Sequence, residues 1–214
     1  MRFLLSSKLR GELLRQQIHF ISQDSFLVLP ECTMPKYVSD ESGWEQYFGA
    51  NGILRRKITT ALQQAGAAPT KIDFHRYLSN EKVTLSDYSC LILPGGDVEL
   101  GCNRLTAMSL DKQLVDYQGT IIAYSAGALL LLEQFFLSPN YYYTSFSTRN
   151  GLGILHGNFA LEVHYDGSEQ MNRYIRQGVE TLHRSVYAIG NDGAINVNDD
   201  YSVTVIGNVV RFDF

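Results

Sequence analysis

The chain has 214 residues, enough for one domain to bury a sizeable core without disulfides or metal. Hydrophobic residues at 45% and charged residues at 19% exclude a disordered or fibrous chain. A formal net charge of -4, with Lys and Arg scattered and no basic run, argues against nucleic acid or an anionic membrane as partner.

Short apolar runs alternate with helical segments along the chain, the pattern of parallel strands joined by crossover helices. Met1 to Leu5 reads as a strand, Glu12 to Ile21 as a helix, and Ser25 to Leu29 as a second strand stopped by Pro30. The apolar spacing from Trp44 to Ala65 is broken by Gly49 and Gly52, so a helix is expected from about Ile53 to Gln64, ending at Gly66. Lys71 to Phe74 and Cys90 to Leu93 are further strands, the latter closed by Pro94-Gly95-Gly96. Asp111 to Tyr117 is helical, Thr120 to Tyr124 is a buried strand, and Ala128 to Phe136 has the composition of an interior helix. From Tyr141 onward strands dominate: Tyr141 to Phe146, Phe159 to His164, Val186 to Ile189, Ala194 to Val197, Val203 to Ile206 and Val209 to Phe212. Asp192-Gly193 and Asp199-Asp200 read as turns, and Ser168 to His183 as the one helix of this half.

Cys32, Cys90 and Cys102 stand apart, without CxxC or Cys/His ligand spacing, and read as reduced packing residues. The first residues carry too short an apolar run for a signal peptide, and Ala126 to Leu132 falls far below the ~20 residues of a spanning helix. Cytoplasmic residence and a single α/β domain over residues 1–214 are the expectations that follow.

Three features carry chemistry. Tyr124-Ser125-Ala126-Gly127 sets a serine between a buried strand and a helix, the arrangement of a nucleophile elbow, although a serine capping the helix would suit the same residues. Leu93-Pro94-Gly95-Gly96-Asp97 follows another buried strand at the same sheet edge, where glycine lets main-chain N–H groups approach a ligand. His164, ending the strand Leu161-Glu162-Val163-His164, is placed to take the Ser125 proton as a general base.

A glycine pair after one strand, Ser125-Ala126-Gly127-Ala128 after the next and His164-Tyr165-Asp166 some forty residues on together resemble the dipeptidase E and cyanophycinase family of serine peptidases. Gly151-Leu152-Gly153-Ile154-Leu155 before the histidine strand adds to the likeness, as does the hairpin expected from Val186 to Ile189 through Gly193 to Ile195 after it. The resemblance implies a doubly wound, mostly parallel sheet like that of class I glutamine amidotransferases, with β-hairpin additions near the C-terminus. It implies Ser125 as nucleophile, His164 as base, and the N–H groups of Gly96 and Ala126 as the oxyanion hole. It implies no cofactor and no metal, and a small peptide or amino-acid-derived substrate cleaved at an aspartyl residue; a homodimer is left open.

An acidic substrate calls for a cation, and Arg173 and Arg176 are the candidates. Asp97 stands where the family has Asn and would repel such a substrate from the pocket. The family's triad acid follows the serine by some fifteen to eighteen residues, whereas Asn140 to Tyr143 holds no carboxylate. Asp166 is the favoured substitute because strand alternation would set it on the side of His164; Glu162 shares that parity, and Glu133 lies far along the elbow helix. The competing expectation is a binding protein that kept the pocket and lost catalysis. Glutamine amidotransfer requires an elbow thiol, and position 125 has none.

Overall fold

A computed structural model describes residues 2–16, 25–67, 71–79 and 81–214. Its centre is a mixed sheet ordered β10-β9-β1-β5-β4-β2-β3, with β8 also paired to β9. The parallel part comprises β1 (Arg2–Ser6), β2 (Ser25–Val28), β3 (Lys71–Phe74), β4 (Cys90–Leu93) and β5 (Thr120–Tyr124). Apart from the edge strand β3, these strands are short and largely apolar because crossover helices cover both faces. Successive residues separate accordingly: Leu91 and Ile121 enter one core cluster, Ile92 and Ile122 another.

The helices follow apolar spacing. After α1 (Gly11–Arg15) and α2 (Glu41–Phe48), α3 (Ile53–Ala65) buries Ile58, Ala61, Leu62 and Ala65, one stripe at i, i+3, i+4 and i+7. It stops at Gly66, whose φ of 88° suits a residue without Cβ. α4 (Val98–Ala107), absent from the expected elements, and α5 (Leu110–Asp116) connect β4 to β5. The expected helix over 12–21 is seen as α1, and its part beyond residue 16 lies outside the described residues.

Three expectations are corrected. The elbow helix α6 spans only Ala126–Leu129, and the chain then enters β6 (Gln134–Leu137), paired antiparallel with β7 (Ser147–Asn150). Phe135 and Phe136 lie in separate core clusters, which adjacent residues reach from opposite faces of a strand but not from one helix face. No strand forms over Tyr141 to Phe146; Asn140 Oδ1 accepts the Tyr142 and Tyr143 N–H groups and folds the segment into a turn. Asp192-Gly193 is not a turn either. β9 (Ser185–Val197) passes straight through it, and β10 (Val203–Phe212) runs alongside with a bulge between Gly207 and Val209.

β9 changes partners along its length. Its first half pairs parallel with β8 (Phe159–Tyr165), up to Gly190, and its second half pairs antiparallel with β1, from Ala194 on. The C-terminal ends of β1 and β8 therefore face each other across Gly190–Gly193. α7 (Glu169–Leu182), N-capped by Ser168, follows β8 and buries Ile175, Gly178, Val179 and Leu182. Among the described residues no helix is long and apolar enough to cross a membrane.

Candidate functional site

The ends of β1, β4, β5 and β8 meet at one edge of the sheet, and each contributes part of the site. Ser125 follows β5 with φ 54° and ψ -128°, a conformation that costs a non-glycine residue free energy and persists where surrounding contacts hold it. Its N–H donates to the Ser6 carbonyl at the end of β1, at 2.9 Å, and its own carbonyl accepts the Ala128 N–H at 2.9 Å. The Ser125 side chain makes no capping bond to α6. Its Oγ lies instead 2.8 Å from His164 Nε2.

His164 reaches that position because it too leaves regular strand geometry. Its φ is 62°, and the β8–β9 register shifts between Val163 and Tyr165. The bulge would leave the His164 N–H and the Ile189 carbonyl without a shared ladder bond. The Ser7 hydroxyl bridges them: it accepts the His164 N–H at 2.7 Å and donates to the Ile189 carbonyl at 2.6 Å. On the other side of the ring, Nδ1 lies 3.1 Å from Asn191 Oδ1. An amide oxygen accepts, so this contact holds the proton on Nδ1 and leaves Nε2 to accept from Ser125.

The glycine turn closes the site from β4. A Cβ on Gly95 would stand 2.7 Å from Ser125 Cβ and 3.1 Å from its Oγ, so only glycine lets the turn lie this close. Gly96 has φ 148°, and a side chain there would collide with the Cys32 carbonyl. Among the described residues, no backbone hydrogen bond takes up the Gly96 or Ala126 N–H. A cavity of about 600 Å³ opens over these groups, lined by Lys8, Tyr37, Lys57, Gly96, Ser125 and His164 among others.

The other residues singled out in the sequence lie elsewhere. Asp166 is not beside the imidazole: its Oδ1 accepts the Ser168 N–H at 2.8 Å, which holds its carboxyl below the ordinary range. The parity argument fails because His164 is the bulged residue, and alternation counts only through regular strand backbone. Glu162 is buried and accepts the Ser138 hydroxyl, and Glu133 pairs with Arg184 at 2.7 Å. Asp97 caps α4 by accepting the Leu100 N–H at 2.9 Å and does not line the cavity. Arg173 and Arg176 are exposed on α7, away from the cavity. Ser7, Lys8, Lys57 and Asn191 were not among the sequence candidates. Only Asn191 left a trace, as a polar interruption of an apolar strand that reads equally well as part of a turn.

No sequence-family profile matches the chain, and no curated protein matches it. Among solved structures it is similar to that of a protein from Listeria monocytogenes EGD-e provisionally named a peptidase E, with a TM-score of 0.57 and 14% identity, over 100% of this chain and 98% of that one. The fold is of the peptidase E type. In this fold the elbow after β5 and the glycine turn after β4 share one sheet edge, as Leu93 paired with Ala123 requires.

Burial pushes the Glu162 carboxyl up to about 7 from 4.5, against the opposing bond from Ser138. Its folded-state pKa is raised, so its contribution to stability is complete below pH 4.5 and lost as pH rises through about 7. Denaturant unfolding should show a loss on the order of 3 kcal/mol across that window, and Glu162→Gln should flatten it. Ser7→Ala, which leaves both bridged groups at the bulge without a partner, should cost about 1–3 kcal/mol in the same assay. Imidazole ¹⁵N spectra of that variant should show a weakened Nε2 hydrogen bond.

Proposed function

We propose that the chain is a serine peptidase of the peptidase E type that cleaves a peptide or amide bond in a small substrate. The observation that carries this reading is the 2.8 Å contact between Ser125 Oγ and His164 Nε2 at a strained elbow facing an open cavity. In the reaction His164 takes the Ser125 proton as Oγ attacks the carbonyl carbon. The negative charge that develops on the carbonyl oxygen is met by the N–H groups of Gly96 and Ala126. His164 then gives the proton to the departing amine, leaving an acyl-serine. A water molecule, losing its proton to the same nitrogen, attacks the acyl carbon; the bond to Ser125 Oγ breaks, His164 returns the proton to that oxygen, and the acid leaves.

Asn191 is the orienting member of this site. It selects the tautomer but brings no negative charge to the imidazolium that forms, so catalysis relies more heavily on the oxyanion donors than in a triad with a carboxylate. Asn191→Asp should raise kcat/KM by about tenfold and Asn191→Leu lower it by about 100-fold, measured on one peptide substrate.

An acidic substrate group would find its counter-charge in Lys8 and Lys57, which line the cavity, rather than in Arg173. Asp97 does not oppose it, since its carboxylate is bound to the start of α4. A fluorophosphonate probe should label the wild-type protein and leave Ser125→Ala unlabelled. Asp-X and Glu-X dipeptides should be cleaved faster than neutral ones, with the difference reduced in Lys57→Gln. Wild-type protein that does not label would favour the competing reading, a binding protein without catalysis, which the uncharged Asn191 supports.

A further inference from the structure

Against the glycine turn, the loop after β2 runs inside the protein although loops ordinarily stay at the surface. Glu31, Cys32 and Thr33 are only 1%, 2% and 6% exposed, so their polar groups must be met internally. His75, just beyond β3, brings Nδ1 to 2.5 Å from Glu31 Oε1. Arg104 on α4 donates from Nη1 to the Glu31 and Thr33 carbonyls at 2.7 and 2.8 Å, and its guanidinium lies 3.9 Å from the Tyr77 ring centroid. The carbonyl between those two, that of Cys32, is left for the glycine turn. It accepts the Asp97 N–H at 2.7 Å and lies against the Gly96 α-carbon, where no side chain fits.

A buried acid–base pair is a costly way to fill an interior site, and an apolar pair of similar volume often serves stability as well or better. Here the pair is not even fully satisfied: among the described residues Glu31 Oε2 is buried without a hydrogen-bond partner. None of Glu31, His75 and Arg104 lines the cavity over Ser125. Their contacts converge instead on the loop that holds the peptide after Gly96. That bond limits how far the preceding peptide, which carries the Gly96 N–H, can swing.

We propose that Glu31, His75 and Arg104 are positioning residues for the oxyanion-binding turn and act through the Cys32 carbonyl. The proposal rests on the hydrolase reading above. Loosening the cluster lets the Gly96 N–H wander, which weakens binding of the charged transition state more than binding of the neutral substrate.

The test uses the full chain carrying Glu31→Gln or, as the milder change at a half-buried position, Arg104→Lys. Both should slow fluorophosphonate labelling of Ser125 by about 10- to 100-fold, as expected for a misplaced oxyanion donor. Affinity for a peptide boronic acid should fall by a similar factor, while KM for the cleaved peptide changes by less than about twofold. Amide hydrogen exchange at Asp97, which needs no catalysis, should quicken in both. If wild-type protein labels and the variants melt like it and label at its rate, the proposal alone is overturned. Slower labelling with unchanged exchange at Asp97 overturns the route through Cys32. Wild-type protein that never labels overturns the hydrolase reading and this proposal with it.

Discussion

The site depends on two adjacent residues at the end of β1. The Ser6 carbonyl holds the N–H of Ser125, and the Ser7 hydroxyl holds the N–H of His164. Both held residues have positive φ, 54° and 62°, which an L-residue adopts only where its surroundings compensate. One dipeptide thus fixes hydroxyl and imidazole relative to each other. β1 is paired on both sides, with β5 and with β9, as far as Ser6, so one half of the clamp belongs to the interior of the sheet and Ser7 is the first residue past it.

The sheet itself explains why these groups come together. In a parallel sheet every C-terminal strand end lies at one edge, which brings the elbow after β5 beside the glycine turn after β4. The histidine arrives from a different direction, on β8. β9 makes this possible by pairing first with β8 and then with β1, so that the two strand ends meet head to head. The bulge at His164 is the local cost of the junction, and the Ser7 hydroxyl offsets it. That the fold is shared at 14% identity with the Listeria structure is physically reasonable. Alternating apolar residues define a sheet of this kind, and many sequences meet that condition.

The charges are arranged with similar economy. Each of the three carboxylates considered for the imidazole is already engaged: Asp166 in the turn before α7, Glu162 with Ser138, Glu133 with Arg184. The place beside Nδ1 is taken by an amide, which orients the ring without adding charge to a partly exposed site. Asp97 acts on its helix rather than on the cavity, leaving Lys8 and Lys57 as the charges at the mouth.

Much of this was written in local sequence. Cys90–Leu93 and Thr120–Tyr124 were legible as strands because each is a short apolar run ended by a turn signal. Ser125 and His164 stood out because each is a polar residue with catalytic chemistry at the end of such a run. Contacts between residues distant in the chain were not legible. Whether Asp192-Gly193 turns or continues depends on β1, β8 and β10 lying alongside, and whether residues 130–136 are helix or strand depends on which cores Phe135 and Phe136 can reach. The partner of His164 was hidden for a related reason. One left-handed residue undoes the alternation that pointed to Asp166, and only the folded sheet brings Asn191, 27 positions away, to the ring. The sequence by itself determined the short buried strands, the serine after β5 and the strand-ending histidine, since these follow from patterns a few residues long. The tertiary structure alone decided which side chains complete the site, because register, bulge and strand exchange are settled by pairing across the sheet.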